Sequence, residues 1–430
     1  MKVSQNWLKE LVDINSTPEV LAEKLSIGGF EVESLKDTSL QVKGVLLGNV
    51  LSVEKHPNST KLSVCQVDIG NKNILQIVCG ARNIKSDIHV YVATVGSYLS
   101  SIGLSIKKSE IRGVSSEGMI CSLEELGLDS NSDGIEIIDP LTIKDHKLGT
   151  EASKILGLND HIFDLAITAN RPDGMSVIGI AREISALLQT KLTLPPEHEI
   201  INLNAFKTDK LCQETINSEC IYTISYIDNV NGKQTSPKWI KERLEKSDIK
   251  SKNLIVDITN YILLEQGQPL HAFDLEKLSQ LIGRDVLPED FGVRKAKNGE
   301  FLTALDGIKY ELNENISIVV CSDKPVAIAG VIGGLETAVT EQTSSIILEG
   351  AVFNPSIIRK SSREVGIRTE SSSRFEKGIS FRNTLNSLSR AFYLLNQYFK
   401  ESKPTIYSSK TINKDKKSIK LRRERIYKIL

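Results

Sequence analysis

Four short apolar stretches in the first third of the chain constrain the fold more than any other feature. They cover 45–53, 62–69, 74–78 and 89–93, and turns rich in Gly, Pro and Asn separate them. Strands of this length and spacing indicate a small closed β-barrel. The segment before them is helical in pattern, because Thr17 and Pro18 form a helix start and Gly28 a helix end.

Helical periodicity returns after about residue 150. Asp173 is placed to cap a helix whose apolar face includes Val177, Ile180 and Ile184. We therefore predict an N-terminal helical domain formed by 1–43 plus 152–195, with a barrel of the OB-fold type inserted at 44–150. A mixed α/β domain should follow at 196–400, and 401–430 should begin an incomplete further domain. The predicted fold class is α+β, multidomain.

Composition excludes several classes of protein. The chain has 430 residues with 54 Lys+Arg and 54 Asp+Glu, so its bulk charge predicts no nucleic-acid or membrane partner, and any such surface must be local. No apolar run approaches the ~20 residues that span a bilayer. The six cysteines form no CxxC pair, which favours reduced thiols in the cytoplasm and predicts no metal site.

One segment in the second half places a histidine beside apolar walls. The sequence predicts a helix with Thr259 and Asn260 at its head, an end at Gly267, and a turn stiffened by Pro269 that delivers His271. A polar side chain held in this way suits a small-molecule pocket. A buried histidine with only a structural role fits the same residues.

Two loops of the predicted barrel carry a cation each. Lys61 precedes one strand and Arg82 follows another. OB-type barrels bind oligonucleotides through such loops, and cationic side chains there contact phosphates. The alternative is that these Gly- and Asn-rich loops only turn the chain.

At this point the motifs resemble a known family. Residues 44–150, with His56-Pro57-Asn58 and the run 77–83, resemble the tRNA-binding module of several aminoacyl-tRNA synthetases. The run 170–173, followed by 176–183 and the segment 259–274, resembles the β subunit of bacterial phenylalanyl-tRNA synthetase. The resemblance runs in order along the whole chain.

The resemblance implies two tasks for the chain. In that family the α subunit binds ATP and phenylalanine, whereas the β subunit binds tRNA(Phe) and hydrolyses tyrosine mistakenly attached to it. The implied partners are tRNA(Phe) and the α subunit, in a heterotetramer of two α and two β chains in the cytoplasm. No cofactor is expected on this chain, and ATP and Mg²⁺ would belong to the complete enzyme. The family β subunit continues well beyond residue 430, so a truncated chain is expected.

The resemblance also places an editing pocket at 196–400. It carries over onto Thr259 and Asn260, His271, Ala329 and Gly330, and Glu349. An apolar synthetic pocket rejects an added hydroxyl only about a hundredfold, so a second site that pairs with the phenol improves selection. Glu349 suits that role, and His271 suits the orientation of water or ribose. Thr259, Asn260 and the Gly330 amide are candidate water-positioning or donor groups.

Simpler interpretations remain for the same residues. Glu349 also fits a strand-end carboxylate paired with an arginine, and Ala329-Gly330 also fits tight strand packing. The Arg- and Ser-rich segment 358–378 either guides the tRNA acceptor end, contacts the α subunit or forms a solvated helix face. Three functions follow: a β chain serving a ligase, a free-standing editing hydrolase, or a tRNA-binding protein without catalysis.

Overall fold

The computed structural model describes residues 1–70, 73–128, 132–197, 202–205, 220–399, 405–409 and 420–429. It contains two compact units. The first consists of Met1–Ala166, Ala181–Thr193 and Lys246–Asp248, and the second of Ile167–Ile180, Leu194–Glu245 and Ile249–Leu430. Within the described ranges, no helix combines the length and the apolar character needed to cross a membrane. The mixed α+β, multidomain class is therefore confirmed.

The first unit is rich in short strands. Its strands are β1 (Lys2–Ser4), β2 (Glu31–Asp37), β3 (Val45–Lys55), β4 (Ser63–Asp68), β5 (Ile74–Cys79), β6 (Ile88–Thr94), β7 (Tyr98–Leu99), β8 (Leu104–Ser105), β9 (Ser109–Ile111), β10 (Val114–Ser116), β11 (Gly118–Ile120), β12 (Ile137–Ile138) and β13 (His161–Ala166). Its helices are α1 (Gln5–Leu11), α2 (Pro18–Ile27) and α3 (Ala152–Ile155), and α4 (Val177–Leu188) begins just outside it.

The four predicted barrel strands form one antiparallel sheet. The strand order is β11-β6-β3-β4-β5, with β12 also paired to β6. The two edges approach each other, because the Glu117 amide donates to the Gln76 carbonyl at 2.8 Å and the Val78 amide donates to the Ser116 hydroxyl at 3.1 Å. The result is a nearly closed, barrel-like sheet around a core that includes Val50, Val67 and Val90.

The predicted helical N-terminal domain contains a sheet that the sequence analysis missed. Strand β13 lies between β1 and β2, and both pairings are antiparallel. Residues from before and after the barrel thus share one three-stranded sheet. The region does contain the helices α1 to α4, so its description as helical was incomplete. The sheet was missed because β2 (EVESLKD) is half exposed and rich in charge, which hides its strand character from an apolar pattern.

The second unit contains larger elements. Its strands are β14 (Asn202–Ala205), β15 (Ile221–Ile227), β16 (Leu270–Asp274), β17 (Phe291–Lys295), β18 (Glu300–Thr303), β19 (Lys309–Leu312), β20 (Ser317–Cys321), β21 (Lys324–Ile328), β22 (Ile332–Gly333), β23 (Ile346–Val352) and β24 (Thr405–Ser408). Its helices are α5 (Lys238–Glu245), α6 (Leu254–Gln266), α7 (Leu275–Ile282), α8 (Pro355–Val365), α9 (Glu370–Phe375), α10 (Phe381–Asn396) and α11 (Arg423–Ile429).

Two sheets of the second unit enclose its core. One has the order β14-β24-β15-β23-β16 and the other the order β17-β20-β21-β22. Because side chains alternate along a strand, Ile347 and Ala351 of β23 point into this core, together with Phe273 of β16. Glu349 and His271 lie on the same face by the same alternation. Gly350 lies on the opposite face, where an added Cβ would meet Thr384 of α10.

Two helix starts differ from the prediction. Ser176, and not Asp173, caps α4, since the Gly179 amide donates to the Ser176 hydroxyl at 3.0 Å while Asp173 pairs with Arg171. Helix α6 begins at Leu254 with Asn253 as its cap, so Thr259 lies inside the helix and not at its head. The nearly uniform burial of α6 removes the polar-to-apolar change that marks a helix start in sequence.

The last strand of the chain lies beyond the predicted end of the second domain. Strand β24 pairs in parallel with β14 and antiparallel with β15, so it belongs to the second unit's sheet although it lies past the predicted boundary at 400. Most of the basic tail from 410, and much of the predicted further domain at 401–430, lie outside the described residues. Among the described residues there, 423–429 form helix α11.

Candidate functional site

A cavity of about 60 Å³ lies between the two sheets of the second unit. A single water molecule needs only ~10–15 Å³ of such space, so the cavity has room for several. One wall consists of His271 and Glu349, and a second consists of the backbone around 327–333. Phe353 and Phe375 close it with aromatic surface. The arrangement is a small site lined mostly by apolar residues, with three polar side chains: His271, Glu349 and Ser371.

His271 is held on β16 directly opposite Glu349 of β23. Its ring packs edge-on against Phe273 with the ring centroids 4.4 Å apart. The Nε2 atom is buried, and it has no hydrogen-bond partner among the described residues. Burial lowers the pKa of His271 to about 4, so the imidazole is neutral at neutral pH. A neutral ring with an unpaired nitrogen is available to a ligand or to a water.

Glu349 lies in the middle of a strand in which every residue is buried. Burial raises the pKa of Glu349 to about 7, and Tyr222 acts in the opposite direction. The carboxyl group therefore changes its charge close to neutral pH. The alternative interpretation of Glu349 as a strand-end carboxylate is wrong, because β23 continues to Val352. Within the part of the chain that the structure describes, the influences on its pKa are burial and Tyr222, and no arginine is among them.

Two glycines bring backbone close to the cavity. Gly330 has a φ of +65°, and a Cβ there would lie 2.9 Å from the Phe375 ring. Gly333 faces His271 so closely that a Cβ would lie 2.8 Å from the imidazole Nε2. Gly330 lines the cavity, whereas Ala329 is fully buried beside it and donates its amide to the Ser317 carbonyl.

Thr259 and Asn260 do not line the cavity. The Thr259 hydroxyl donates to the Val256 carbonyl of its own helix at 2.7 Å, so it already has a partner. The structure thus groups His271, Glu349 and Gly330, and leaves Thr259 and Asn260 on α6 outside that group.

Lys61 and Arg82 are both exposed and lie on loops of the barrel-like sheet. Lys61 lies just before β4, and Arg82 just after β5. Because Ser63 of β4 pairs with Cys79 of β5, the two loops leave the same end of the sheet. Two cations at one end of a sheet offer an electrostatic surface for phosphates.

Sequence reasoning missed several residues of the cavity region, among them Phe353, Ser371 and Phe375 of the lining. Gly333 belongs to a run already singled out for Ala329 and Gly330, and only the packing against His271 shows its role. Tyr222 of β15 is fully buried near Glu349, and its place follows from the strand register and not from any motif. Within the described part of the chain, no cluster of three or more His, Cys, Asp or Glu side chains is arranged to hold a metal ion.

Two protein families match the chain, and they divide it much as the two sets of candidate residues do. The family described as "Putative tRNA binding domain" matches residues 45–144, which include Lys61 and Arg82. The family described as "B3/4 domain" matches residues 219–400, which include the cavity. The barrel region therefore resembles tRNA-binding domains, and the cavity lies in a recognised second domain.

Curated relatives extend the match to the full chain. A phenylalanine--tRNA ligase beta subunit of Prochlorococcus marinus (strain MIT 9312) is 67% identical over 430 residues, all of this chain and 53% of the relative. The beta subunit of Synechococcus sp. (strain CC9605) is 49% identical over 399 residues, 93% of this chain and 49% of the relative. The chain thus spans about half the length of the curated relatives it matches.

A solved structure, an N-terminal fragment of the phenylalanyl-tRNA synthetase beta subunit from Pyrococcus horikoshii, is 16% identical. It covers 58% of this chain and 63% of its own, with a TM-score of 0.28.

The tRNA-binding domain match and the curated relatives together define the class, which is that of the aminoacyl-tRNA synthetases. At 67% identity along its whole length, the chain belongs to the family of phenylalanine--tRNA ligase beta subunits.

Proposed function

We propose that this chain binds tRNA(Phe) through its barrel-like sheet and removes tyrosine wrongly attached to that tRNA at the His271–Glu349 cavity. The observation that carries the proposal is one buried carboxyl group and one neutral imidazole on neighbouring strands, both facing the same small cavity. The names of the relatives and the tRNA-binding domain match support the choice of tRNA.

Selection of tyrosine over phenylalanine would rest on Glu349. The phenol of a bound tyrosyl group donates a hydrogen bond to the carboxylate, which is otherwise buried. A phenylalanyl group leaves the carboxylate without that partner, and an unsatisfied buried polar group costs about 1–3 kcal/mol, more when it is charged. The aromatic rings of Phe353 and Phe375 supply apolar contact that both amino acids share, so the hydroxyl decides.

Hydrolysis needs a water held against the ester carbonyl. The Nε2 of His271 has no partner among the described residues and faces the cavity, so it is the group we assign to hold a water or the terminal ribose hydroxyl. Its lowered pKa keeps the ring uncharged at neutral pH, so it acts as a hydrogen-bonding group and not as a cation. We assign Thr259 and Asn260 no contact with the ester, because α6 uses the Thr259 hydroxyl internally.

Hydrolysis of Tyr-tRNA(Phe) by the purified chain tests this function. We expect His271→Ala and Glu349→Ala each to lower kcat/KM by at least about tenfold, consistent with the loss of one hydrogen bond to a charged or reacting group. The exposed carboxylate of Glu336 offers a matched control, Glu336→Ala, with no expected effect. Equal hydrolysis by wild type and both cavity variants would contradict the editing assignment. The function left would be that of a tRNA-binding protein without catalysis.

The remaining features of the family form part of the same proposal. We place the chain in the cytoplasm, as the partner of an α subunit that uses ATP, Mg²⁺ and phenylalanine. Co-purification with that subunit checks the partnership.

A further inference from the structure

The hydroxyl of Tyr222 is a buried polar group that the proposed reaction does not use. Tyr222 is 0% exposed, and its ring stacks on Phe291 with centroids 6.0 Å apart. Its Oη has no hydrogen-bond partner at bonding distance among the described residues. A buried phenol without a partner costs free energy that a phenylalanine at this position would not. The hydroxyl therefore calls for an explanation.

The Glu349 carboxyl is the acidic group that acts on this hydroxyl. Strand register pairs Ile224 with Glu349 and Tyr222 with Ala351, so Tyr222 and Glu349 are diagonal neighbours on one face. Each group shifts the pKa of the other: Tyr222 lowers that of Glu349, and Glu349 adds to the burial that raises the pKa of Tyr222. Tyr222 does not line the cavity, whereas Glu349 does. Glu349 thus lies at the cavity surface, and Tyr222 lies on the same face of the sheet but outside the cavity lining.

We propose that Tyr222 is a positioning residue, whose hydroxyl donates a hydrogen bond to the Glu349 carboxylate and turns one carboxylate oxygen toward the phenol of the substrate. This inference rests on the proposed editing function. Tyr222 touches neither the ester nor the tyrosyl group, and it acts through Glu349. It converts a flexible carboxylate into an oriented acceptor, which favours the ligand that brings a hydroxyl.

Other titratable groups near this carboxyl do not supply the same bond. His271 faces it from β16 but is uncharged and carries an unpaired Nε2. Cys220 and Cys321 influence Tyr222 and are not among the groups that shift the pKa of Glu349. Arg374 of α9 binds the Met175 carbonyl and Glu370, so it is committed elsewhere.

The test compares Tyr222→Phe with Tyr226→Phe. Tyr226 lies on the same strand and face, but its hydroxyl donates to the Val286 carbonyl at 3.1 Å. Both changes remove one oxygen and keep the ring. The readout is the ratio of kcat/KM for tyrosyl-tRNA(Phe) to that for phenylalanyl-tRNA(Phe), measured from pH 5.5 to 8.5. The ratio cancels the general rise of ester hydrolysis with pH.

In the wild type we expect the ratio to rise with pH as Glu349 ionises. Loss of the Tyr222 hydroxyl removes the group that lowers the pKa of Glu349, so Tyr222→Phe should move this rise upward by about one pH unit. The ratio at pH 7 then falls by about fivefold, because the ionised fraction of Glu349 drops from about one half to about one tenth. Tyr226→Phe should leave the profile in place. A profile unchanged by Tyr222→Phe, or one moved equally by both variants, overturns the proposal.

A second measurement separates failure of this inference from failure of the editing function. Carbon-13 NMR of labelled Glu349 in the ligand-free chain, with Glu349→Gln to assign the signal, gives the pKa of the carboxyl without any substrate. A higher pKa in Tyr222→Phe supports the positioning role even if no ester is hydrolysed, in which case only the editing function fails. An unshifted pKa, or loss of folding in Tyr222→Phe but not in Tyr226→Phe, overturns the positioning role.

Discussion

The barrel-like sheet and the cavity of the second unit place their ionisable groups in opposite ways. Lys61 and Arg82 stand exposed on loops, where water already solvates them. His271 and Glu349 lie at the cavity. Burial lowers the pKa of His271 and raises that of Glu349, so it favours the uncharged form of each. Exposed cations attract a polyanion over a distance with little chemical discrimination. Buried groups discriminate by a single hydroxyl but act only at contact. The barrel-like sheet therefore suits the binding of a polyanion, and the cavity suits discrimination between similar small groups.

The largest expected effect comes from closing the cavity without touching the barrel. In Gly333→Val the new side chain meets the His271 ring, which leaves no space for a water or an ester. We expect hydrolysis of Tyr-tRNA(Phe) to fall by at least about a hundredfold, because even small displacements of reacting groups cause rate losses of this size. Affinity for the tRNA, measured by filter binding, should stay within about twofold. A parallel loss of affinity would show that the two regions do not act separately.

The pH dependence of stability should reveal the two buried groups one at a time. The pKa of Glu349 is raised, so its contribution to stability is present below about 4.5 and is lost as pH rises to about 7. The pKa of His271 is lowered, so its contribution is present above about 6.5 and is lost as pH falls to about 4. The two slopes oppose each other, and the wild type should show little net change from these groups.

Removing one group should expose the slope of the other. Between pH 4.5 and 6.5, His271→Phe should become less stable as pH rises, and Glu349→Gln more stable, each by roughly 2–3 kcal/mol over the full range. Urea denaturation at several pH values measures the free energy of unfolding. Parallel curves for the two variants would mean that these groups are not buried in the way described.

Charge reversal on the barrel should act on affinity alone. For Lys61→Glu combined with Arg82→Glu we expect at least about a tenfold loss of tRNA affinity at moderate salt, and a salt slope reduced by about 1 for each lost phosphate contact. Lys9→Glu with Lys154→Glu changes the net charge equally at other exposed positions and should have a smaller effect. Hydrolysis of tyrosine methyl ester, which lacks phosphate, should not change. Equal losses in both double variants would assign the effect to bulk charge.

The smallest expected effect comes from the helix caps, one in each compact unit. Thr17 caps α2 in the first unit and Asn253 caps α6 in the second. Thr17→Ala and Asn253→Ala should each lower the free energy of unfolding by about 1 kcal/mol, without the pH dependence seen at the cavity. Thermal or urea unfolding checks this. If a cap variant changed how the free energy of unfolding depends on pH, that dependence could not be assigned to the cavity groups alone.

The sequence predicts the local elements better than the meeting of distant ones. The four barrel strands agree with the structure, because turn residues mark their ends. Gly267 does end α6 in the left-handed conformation. The pairing of His271 with Glu349 depends on the register of strands far apart in sequence, which no local pattern contains; only the resemblance to a family joined them.

The errors have physical causes as well. Helix α6 is buried almost all round, so its start at Asn253 was placed too late, at Thr259. Strand β2 is half exposed and charged, so the sheet was missed in a domain that was described by its helices alone. Tyr222 carries no signal in sequence, since a tyrosine in an apolar strand looks like any core aromatic. Its unpaired hydroxyl becomes visible only in three dimensions.

The close approach of Gly333 to His271 also restricts the order in which mutations can accumulate. Because any side chain at position 333 meets the imidazole, a larger residue there abolishes the space beside the ring for as long as position 271 is a histidine. A lineage that gave up the histidine first would face no steric barrier at 333 and could then fill the cavity. Restoring the ring afterwards would require position 333 to return to glycine beforehand. Loss of the site therefore needs one substitution, whereas its recovery needs two substitutions in a fixed order, first at 333 and then at 271.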